Sequence, residues 1–268
     1  MTPVDDGTIA LAHRLADAAG AVIRPYFRAR IAVTDKGAAK GDLFDPVTEA
    51  DRKAEEAIRA ILDRERPDDA VLGEEHGRKE GSSGFCWTLD PIDGTRAFIT
   101  GRHEWGTLIA LERDGRPILG ILDQPVLGER YWGANGATTL RQNGLETPLR
   151  ARPCAGLSEA VLAATHPYAY FETGEREAFR NVARAVKMSR FGGDCYLFAM
   201  LAMGFIDLVV ESHFNRWDVA ALIPIVEGAG GIVTDWAGRP CHDGGQVLAA
   251  GDVRVHEAAL ALLMGAAG

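Results

Sequence analysis

The spacing of apolar positions in the first half of the chain predicts two helices followed by a largely antiparallel sheet. Residues 8–28 and 48–62 place apolar side chains on one helical face, and Thr48 with Asp51 matches the capping-box pattern at the start of the second helix. The polar, glycine-bearing residues 34–46 predict a loop between the helices. Apolar runs separated by turn residues then predict strands at residues 70–73, 87–90, 106–111, 117–122, 129–133 and 137–149.

The second half alternates apolar runs of strand length with helical patterns, which is typical of helices packed against a sheet. The predicted strands are residues 161–164, 206–211, 232–235 and 247–249. The predicted helices are residues 175–186, 195–203, 218–227 and 255–264. We therefore assign the chain to the α+β (mixed α/β) class, with subdomains 1–150 and 151–268 that meet at a seam near residue 150.

One stretch, residues 87–95, combines a predicted strand with candidate chemistry. It follows a Gly- and Ser-rich predicted loop at residues 77–84, and its strand ends in Asp90, where a Pro and a Gly turn the backbone. Asp93 lies three residues later, so both carboxylates can converge on one point. Thr95 suits a helix N-cap, and the free N–H groups of a helix start can bind an anion. Taken alone the pattern also fits an ordinary Asp-Gly turn, so further acidic positions are needed to favour a divalent cation beside a phosphate.

Composition and charge narrow the class of function. The 268 residues are 47% hydrophobic and 25% charged, the balance of a globular protein with one large domain or two subdomains. The net charge of −9 argues against a nucleic-acid partner, but a phosphate ester remains compatible because bound cations reverse the local sign. The polar N-terminus and the short apolar runs predict neither a signal peptide nor a membrane span. Four cysteines without a CxxC pair predict reduced thiols in a cytoplasmic protein: Cys86, Cys154, Cys195 and Cys241.

Four acidic residues lie at the ends of apolar runs. Glu74 follows the first predicted strand, and Asp218 opens a predicted helix in the second half. Asp90 and Asp93 flank the turn between them. Asp218 by itself favours the simpler interpretation of a helix N-cap, but four buried carboxylates without cationic sequence neighbours favour a metal site. Oxygen ligands without His or Cys select Mg²⁺ over zinc or copper.

The acidic residues and their neighbours resemble the signatures of a known family, the inositol monophosphatase family. The residues whose order and spacing are similar are Glu74, the run Asp90-Pro91-Ile92-Asp93-Gly94-Thr95 with Phe98, and Trp217-Asp218 with Ala220-Ala221. The resemblance covers nearly the whole chain. It implies Mg²⁺-dependent hydrolysis of a phosphate monoester, a layered αβαβα sandwich and a homodimer.

The resemblance also implies a role for each acidic residue. Glu74, Asp90 and the Ile92 carbonyl would hold one Mg²⁺ ion. Asp90, Asp93 and Asp218 would hold a second ion, and Glu74 would contact a third, weaker one. The N-terminal subdomain thus supplies most of the ligands, and the C-terminal subdomain completes the site.

Further residues are implied for the water and the phosphate. Asp51 and Thr95 would orient the attacking water, and the N–H groups of Gly94 and Thr95 would bind the phosphate. Mg²⁺ ions can neutralise the dianionic ester, activate water and stabilise the leaving oxygen, so no covalent intermediate is needed. Cys195 lacks an evident partner base and is assigned no nucleophilic role. Lys40, in the predicted loop, either closes over the site or is a solvated surface lysine.

Departures from the inositol-type pattern concern the substrate. Arg96 follows Thr95 where inositol phosphatases more often have a small polar residue, and Asp194 stands where a small residue is frequent. The chain is most similar to the histidinol-phosphate phosphatase branch, which implies a role in histidine biosynthesis. We therefore take Arg96, Asp194 and Glu211 as candidate substrate-binding residues. The simpler interpretations are a helix N-cap for Asp194 and a surface acid at a strand end for Glu211.

Two other functions are compatible with parts of this pattern. An inositol-1-monophosphatase or a broad sugar-phosphate phosphatase would use the same machinery on a different substrate. The second alternative is a non-catalytic interaction protein on this scaffold. The complete set of acidic ligands argues against it, because a non-catalytic protein would be expected to have lost a residue such as Asp93 or Asp218.

Overall fold

A computed structural model describes residues 3–30, 32–35 and 46–268 of the chain. Its α-helices are α1 Asp6–Ile23, α2 Glu49–Glu65, α3 Thr95–Ile99, α4 Pro167–Tyr170, α5 Thr173–Ala185, α6 Tyr196–Ala202, α7 Arg216–Val219, α8 Leu222–Gly228 and α9 Val253–Leu263. Its strands are β1 Val33–Asp35, β2 Pro46–Thr48, β3 Ala70–Gly73, β4 Gly77–Lys79, β5 Phe85–Asp93, β6 Gly106–Arg113, β7 Arg116–Gln124, β8 Glu129–Ala134, β9 Ala137–Gln142, β10 Leu145–Pro148, β11 Val161–Ala164, β12 Met188–Phe191, β13 Leu208–Phe214, β14 Ile232–Thr234 and β15 Gly245–Ala250. Within these described ranges, every helix is too short or too polar to cross a membrane.

Two large sheets organise the strands. The first has the order β10-β9-β8-β7-β6-β5-β3-β4 and is antiparallel except where β3 lies beside β5. The second has the order β12-β11-β13-β15-β14, with β11 parallel to both of its neighbours. β1 and β2 form a small antiparallel ribbon. The antiparallel character predicted for the first half is confirmed.

Three apolar clusters show how the layers stack. One face of the eight-stranded sheet packs against α1 and α2. Its other face packs against α6 and α8, which also contact the five-stranded sheet. The far face of the five-stranded sheet carries α5 and α9. The chain therefore has the layered αβαβα architecture that the resemblance implied. The two sheets fall on either side of residue 150, and the division into two subdomains stays a prediction.

A close backbone approach fixes α7 and α8 on the eight-stranded sheet. A Cβ atom at Gly120 would lie 1.9 Å from the carbonyl oxygen of Ala221, so this point of β7 accommodates only glycine. The helix predicted at residues 218–227 is divided into α7 and α8, because Pro224 has no N–H to donate to the carbonyl one turn earlier. The division leaves Asp218 on a short helix that packs against β5 and β6.

Some predictions of local structure are wrong. β4 lies inside the loop predicted at residues 77–84, and β12 has no predicted counterpart. Both are edge strands with largely exposed side chains, so neither needs the apolar alternation that reveals a buried strand. The ends of the loop predicted at residues 34–46 belong to β1 and β2, and the rest of that loop, including Lys40, lies outside the described residues.

Candidate active site

The acidic turn is built at the carboxyl end of β5. This strand continues to Asp93 rather than ending at Asp90, and its pairing with β6 is interrupted between these two residues. Such an irregularity re-aims side chains and leaves the ladder open. The Asp90 carboxylate accepts the N–H of Ile92 at 3.0 Å, which holds it against its own strand. Asp90 is buried and Asp93 is half-buried.

Gly94 turns the chain from β5 into α3. Its φ of 85° is left-handed, and a Cβ atom there would lie 2.9 Å from the carbonyl oxygen of Glu104. Gly94 is the N-cap of α3, which corrects the prediction that Thr95 caps this helix. The Thr95 hydroxyl instead donates to the Ile92 carbonyl oxygen at 3.0 Å. The N–H groups of Gly94 and Thr95 lie at the helix start, where the helix offers them no carbonyl partner.

α7 brings Asp218 from the second half of the chain to this turn. Asn215 is the N-cap of α7, and its N–H donates to the Asp218 carboxylate at 2.6 Å. Asp218 is therefore the third residue of the helix and completes a capping box, rather than being the cap itself. Asp90, Asp93 and Asp218 each offer an oxygen that lies within 4.8 Å of the other two. The structure thus brings together three of the four acids singled out in the sequence as one potential metal site.

Glu74, the fourth acid, directly follows β3. Its N–H donates to a carbonyl of β5 at 3.1 Å and extends the parallel pairing of these strands. The buried Glu55 carboxylate accepts the next two N–H groups, of Glu75 at 2.8 Å and of His76 at 3.3 Å, and so fixes the turn. The Glu74 side chain is half-buried and adjoins the cluster, since its charge raises the pKa of Asp90.

Burial, followed by repulsion between carboxylates at Asp90 and Asp218, sets the electrostatics of the cluster. Burial raises the pKa of Asp90 well above its ordinary range, and the neighbouring carboxylates of Glu74, Asp93 and Asp218 raise it further. Burial also raises the pKa of Asp218 well above its ordinary range, followed by the charges of Asp93 and Glu74. The pKa of Asp93 is raised by burial and lowered by hydrogen bonds from Cys195, whose N–H donates at 2.7 Å. Crowded oxygen ligands of this kind are typical of a site for a divalent cation.

Asp51 stands at the start of α2. Its carboxylate accepts the Thr48 N–H at 2.9 Å and the Thr48 hydroxyl at 2.5 Å, while that hydroxyl accepts the Ala50 N–H at 3.1 Å. The predicted capping box is thereby confirmed. Burial raises the pKa of Asp51 to about 6. Because β2 ends at Thr48 and contacts α3, Asp51 and Thr95 stand at the starts of helices on neighbouring segments.

Two further carboxylates lie beside the cluster in the second half of the chain. Asp194 has a left-handed backbone with φ of 45°, and Cys195 rather than Asp194 is the N-cap of α6, so the helix-cap interpretation is wrong. Burial raises the pKa of Asp194 to about 7, followed by the charge of Asp93. Glu211 lies inside β13 with 1% exposure, so the surface-acid interpretation is also wrong. It accepts the Thr165 N–H at 2.6 Å and hydroxyl at 2.7 Å, and burial raises its pKa to about 8.

Arg96 extends from α3 towards α4. Its guanidinium donates to the Tyr170 hydroxyl, and its Cζ atom lies 4.9 Å from the centre of the Tyr170 ring. The charge of Arg96 lowers the pKa of Asp194, against the larger effect of burial. The charge of Asp194 in turn raises the pKa of Glu211. The three predicted substrate-binding residues are therefore electrostatic neighbours.

Comparison with known proteins extends over almost the whole chain. The model of the inositol monophosphatase family matches residues 5–266. The chain belongs to this family. Its layered fold is therefore that of an inositol monophosphatase-family protein, as the sequence resemblance implied.

Relatives of this inositol monophosphatase-family chain are named as phosphatases. The bifunctional phosphatase IMPL2, chloroplastic, of Arabidopsis thaliana is 45% identical over 266 residues, which cover 95% of this chain and 74% of the relative. A histidinol-phosphatase of Streptomyces coelicolor is 39% identical over 259 residues, which cover 94% of this chain and 95% of the relative. A solved structure of an inositol monophosphatase from Zymomonas mobilis is 46% identical with a TM-score of 0.85, and the match covers 97% of this chain and 98% of that chain. The protein is accordingly a phosphoric monoester hydrolase.

Several residues next to the site residues of this inositol monophosphatase-family chain were not predicted from the sequence. Thr165 directly follows the predicted strand 161–164, and a polar residue at a strand end is the signal that had singled out Glu74. The buried Glu112 and the half-buried Arg216 form an ion pair, yet 104 positions separate them along the chain. A local sequence pattern contains no sign of such a pair.

Proposed function

We propose that this phosphatase hydrolyses L-histidinol phosphate to L-histidinol and phosphate, in a Mg²⁺-dependent step of histidine biosynthesis. The observation that carries the proposal is the pair Asp194 and Glu211, two carboxylates beside the acidic cluster but outside it. Histidinol phosphate presents an ammonium group and an imidazole, which carboxylates bind by charge-assisted hydrogen bonds. The histidinol-phosphatase relative from Streptomyces coelicolor supports the same substrate.

The donor set fits Mg²⁺. The oxygens of Asp90, Asp93 and Asp218 lie within 4.8 Å of one another, and the raised pKa of Asp90 reflects a crowding of charge that a cation would relieve. We assign as ligands these three carboxylates, Glu74 and the Ile92 carbonyl, which has a second lone pair beyond the one that Thr95 uses. Mg²⁺ bound there would neutralise the phosphate and activate water. The number of ions, two or three, and the homodimer stay predictions.

Asp51 and Thr95 are proposed to orient the attacking water. The Thr95 hydroxyl donates its hydrogen bond to the Ile92 carbonyl, so its oxygen is left to accept a hydrogen bond from the water. Both Thr48 bonds to Asp51 fall on Oδ2, which leaves Oδ1 to accept the second water proton. A pKa of about 6 suits a general base near neutral pH. The N–H groups of Gly94 and Thr95 would hold a phosphate oxygen.

Asp194, Glu211 and Arg96 are proposed to bind the alcohol part of the substrate. Two carboxylates and one guanidinium sum to a single negative charge when all three are ionised, which matches one ammonium group better than a divalent cation. Thr165 holds the Glu211 carboxylate with two hydrogen bonds. Tyr170 holds the Arg96 guanidinium. Both arrangements hold these side chains in place for the substrate, so little ordering is required on binding.

The alternative substrate class is inositol 1-phosphate or a broader set of sugar phosphates. It is favoured by the 46% identity to the inositol monophosphatase structure from Zymomonas mobilis and by the bifunctional phosphatase relative. A neutral polyol would leave Asp194 and Glu211 without a charged partner, which argues against it as the preferred substrate. A non-catalytic role on this scaffold is opposed by the complete set of proposed ligands.

One assay tests the proposal. Phosphate release should be measured with Mg²⁺ from histidinol phosphate, inositol 1-phosphate and adenosine 3′,5′-bisphosphate, with an EDTA control. We expect histidinol phosphate to have the highest kcat/KM. A higher kcat/KM for inositol 1-phosphate would transfer the assignment to the alternative, and release that persists in EDTA would refute the metal site.

A further inference from the structure

A buried carboxylate outside the proposed ligand set connects the two parts of the metal cluster. Glu112 lies in β6 with 0% exposure and accepts the hydroxyl of Thr88, in β5, at 2.5 Å. It also accepts from the guanidinium of Arg216, in α7. The Arg216 Nε lies 3.1 and 3.2 Å from the two carboxylate oxygens, and its Nη2 contacts one of them more closely. A single side chain thus bonds to both β5 and α7.

Both partners of Glu112 stand two residues before a proposed metal ligand. Thr88 precedes Asp90 in β5, and side chains two residues apart in a strand point to the same face. Arg216 precedes Asp218 within α7. Glu112 therefore connects the backbone that carries Asp90 to the backbone that carries Asp218. Thr88 and Glu112 are buried and Arg216 is half-buried, so Coulomb interactions along this connection are screened less than at the surface.

The cluster needs such a connection before a cation arrives. The carboxylate oxygens of Asp90 and Asp218 lie within 4.8 Å of each other, and like charges at that separation repel. α7 is only four residues long, so its own hydrogen bonds give it little resistance to displacement. Repulsion from Asp90 would favour an outward displacement of Asp218, which a connection between β5 and α7 opposes.

We propose that the chain of bonds Thr88–Glu112–Arg216, here called the strut, holds Asp218 at Mg²⁺-binding distance from Asp90. The inference rests on the proposed metal site. Because the strut arranges the ligands in advance, no binding free energy is lost in drawing α7 inward, and Mg²⁺ affinity rises. Arg216 also donates to Asp243 at 2.8 Å, but that side chain is 88% exposed and its bond is screened by water. Asp243 is therefore not part of the strut.

The experiment compares Glu112→Gln with a substitution of another buried carboxylate that forms an ion pair in the same sheet. Glu112→Gln keeps the size of the side chain and removes the charge that binds Arg216. The control is Asp123→Asn, in β7, where the carboxylate accepts from the Arg130 Nε at 2.6 Å and is 6% exposed. Mg²⁺ binding is measured by isothermal titration calorimetry on each folded protein. The stability of the Mg²⁺-free protein is measured by thermal unfolding in EDTA.

We expect both substitutions to lower the melting temperature in EDTA and only Glu112→Gln to weaken Mg²⁺ binding, by about tenfold or more. In turnover assays Glu112→Gln should raise the KM for Mg²⁺ while the KM for the phosphate ester changes little. Wild-type Mg²⁺ affinity in Glu112→Gln, or an equal loss in Asp123→Asn, would show that the pair is only structural and would overturn the inference.

Arg216→Lys provides a second test if Glu112→Gln does not fold. Lysine keeps the positive charge but lacks the planar fork that bonds both oxygens of Glu112, so we expect Mg²⁺ affinity to fall by roughly three- to tenfold. Unchanged affinity would overturn the strut. A wild-type protein that binds no Mg²⁺ would overturn the proposed function as well, whereas wild-type binding that Arg216→Lys leaves unaltered would overturn the strut alone.

Discussion

The proposed site has a metal side, which contains Glu74, Asp90, Asp93 and Asp218, and a substrate side, which contains Arg96, Asp194 and Glu211. Both sides use carboxylates, but the carboxylates have different surroundings. Asp90 and Asp218 have other carboxylates as their strongest electrostatic neighbours after burial. On the substrate side, Glu211 accepts two hydrogen bonds from Thr165. The pKa of Asp194 is raised by burial and by the charge of Asp93, but it is also lowered by the charge of Arg96. Acids surrounded only by other acids favour a multivalent cation, while acids that also have neutral or cationic partners can pair with a single positive charge. The neighbours of a carboxylate therefore identify its ligand better than the carboxylate itself does.

The two sides also differ in what holds them. Backbone N–H groups fix the metal side: Ile92 donates to Asp90, Cys195 to Asp93 and Asn215 to Asp218. On the substrate side, the Tyr170 side chain holds Arg96, and Thr165 contributes its hydroxyl as well as its N–H to Glu211. Substitution of one side chain should therefore affect one side and leave the other intact.

The largest effect should come from the metal side. Asp90→Asn removes the charge that is proposed to be shared between two ions and keeps the shape of the side chain. We expect kcat/KM to fall by about 10³-fold or more, about 4 kcal/mol of transition-state stabilisation, for every phosphate ester tested. The measurement is phosphate release at saturating Mg²⁺. Full turnover by Asp90→Asn would contradict the metal assignment.

Thr95→Ala tests whether this residue positions the attacking water on the metal side. The substitution keeps the backbone donor for phosphate and removes the hydroxyl that is bonded to the Ile92 carbonyl. We expect kcat to fall by roughly 10²-fold while KM changes by less than about threefold, because positioning of the water acts on the chemical step. Steady-state kinetics separate the two parameters. An effect confined to KM would leave Asp51 as the residue that orients the water.

Asp194→Asn tests whether the substrate side binds the ammonium group of histidinol phosphate. It removes a charge proposed to bind the ammonium group, so kcat/KM for histidinol phosphate should fall by roughly 10–100-fold, about 1.4–2.7 kcal/mol. Glycerol phosphate, which has no ammonium group, should be hydrolysed at nearly the wild-type rate. Equal losses on both esters would give Asp194 a structural role and favour the inositol-type substrate.

A separate prediction concerns the pH dependence of the stability of the Mg²⁺-free protein. Burial raises the pKa of Glu211 from 4.5 to about 8 and that of Asp194 from 3.8 to about 7. The folded state then binds more protons than the unfolded state between these limits. The protons bound in the folded state therefore contribute to the free energy of unfolding. This contribution is fully present below the ordinary pKa values and is lost as pH rises to about 8. Each such group lowers the free energy of unfolding by up to about 1.4 kcal/mol per pH unit within its window.

The pH effect can be divided between the two sides. Thermal unfolding in EDTA from pH 5 to 8.5 should show a falling melting temperature, and Glu211→Gln should reduce the slope. Saturating Mg²⁺ should remove the pH dependence of the melting temperature that comes from the metal side. The pH dependence that comes from Glu211 and Asp194 should remain. A melting temperature that rises over this range in EDTA would contradict the raised pKa values.

The sequence predicted the features that depend on residues close together in the chain. The Thr48–Asp51 capping box and the turn after β5 follow from side chains three to five positions apart, and both are present. The edge strands β4 and β12 were not predictable from apolar alternation, because exposed edges carry none. The division of the predicted helix 218–227 was foreseeable from Pro224, whose missing N–H interrupts the helix.

By itself, the sequence determined which acidic groups are present and how the local turns present Asp90 and Asp93. Only the tertiary structure decided that Cys195, 102 positions away, binds Asp93, that Glu211 is buried rather than exposed, and that Glu112 bonds to Arg216. The physical reason is that solvent exclusion and Coulomb interaction depend on distance in space. Local turns are specified by short-range sterics and hydrogen bonds, whereas the surroundings that set the charge of each carboxylate come from segments far apart in the chain.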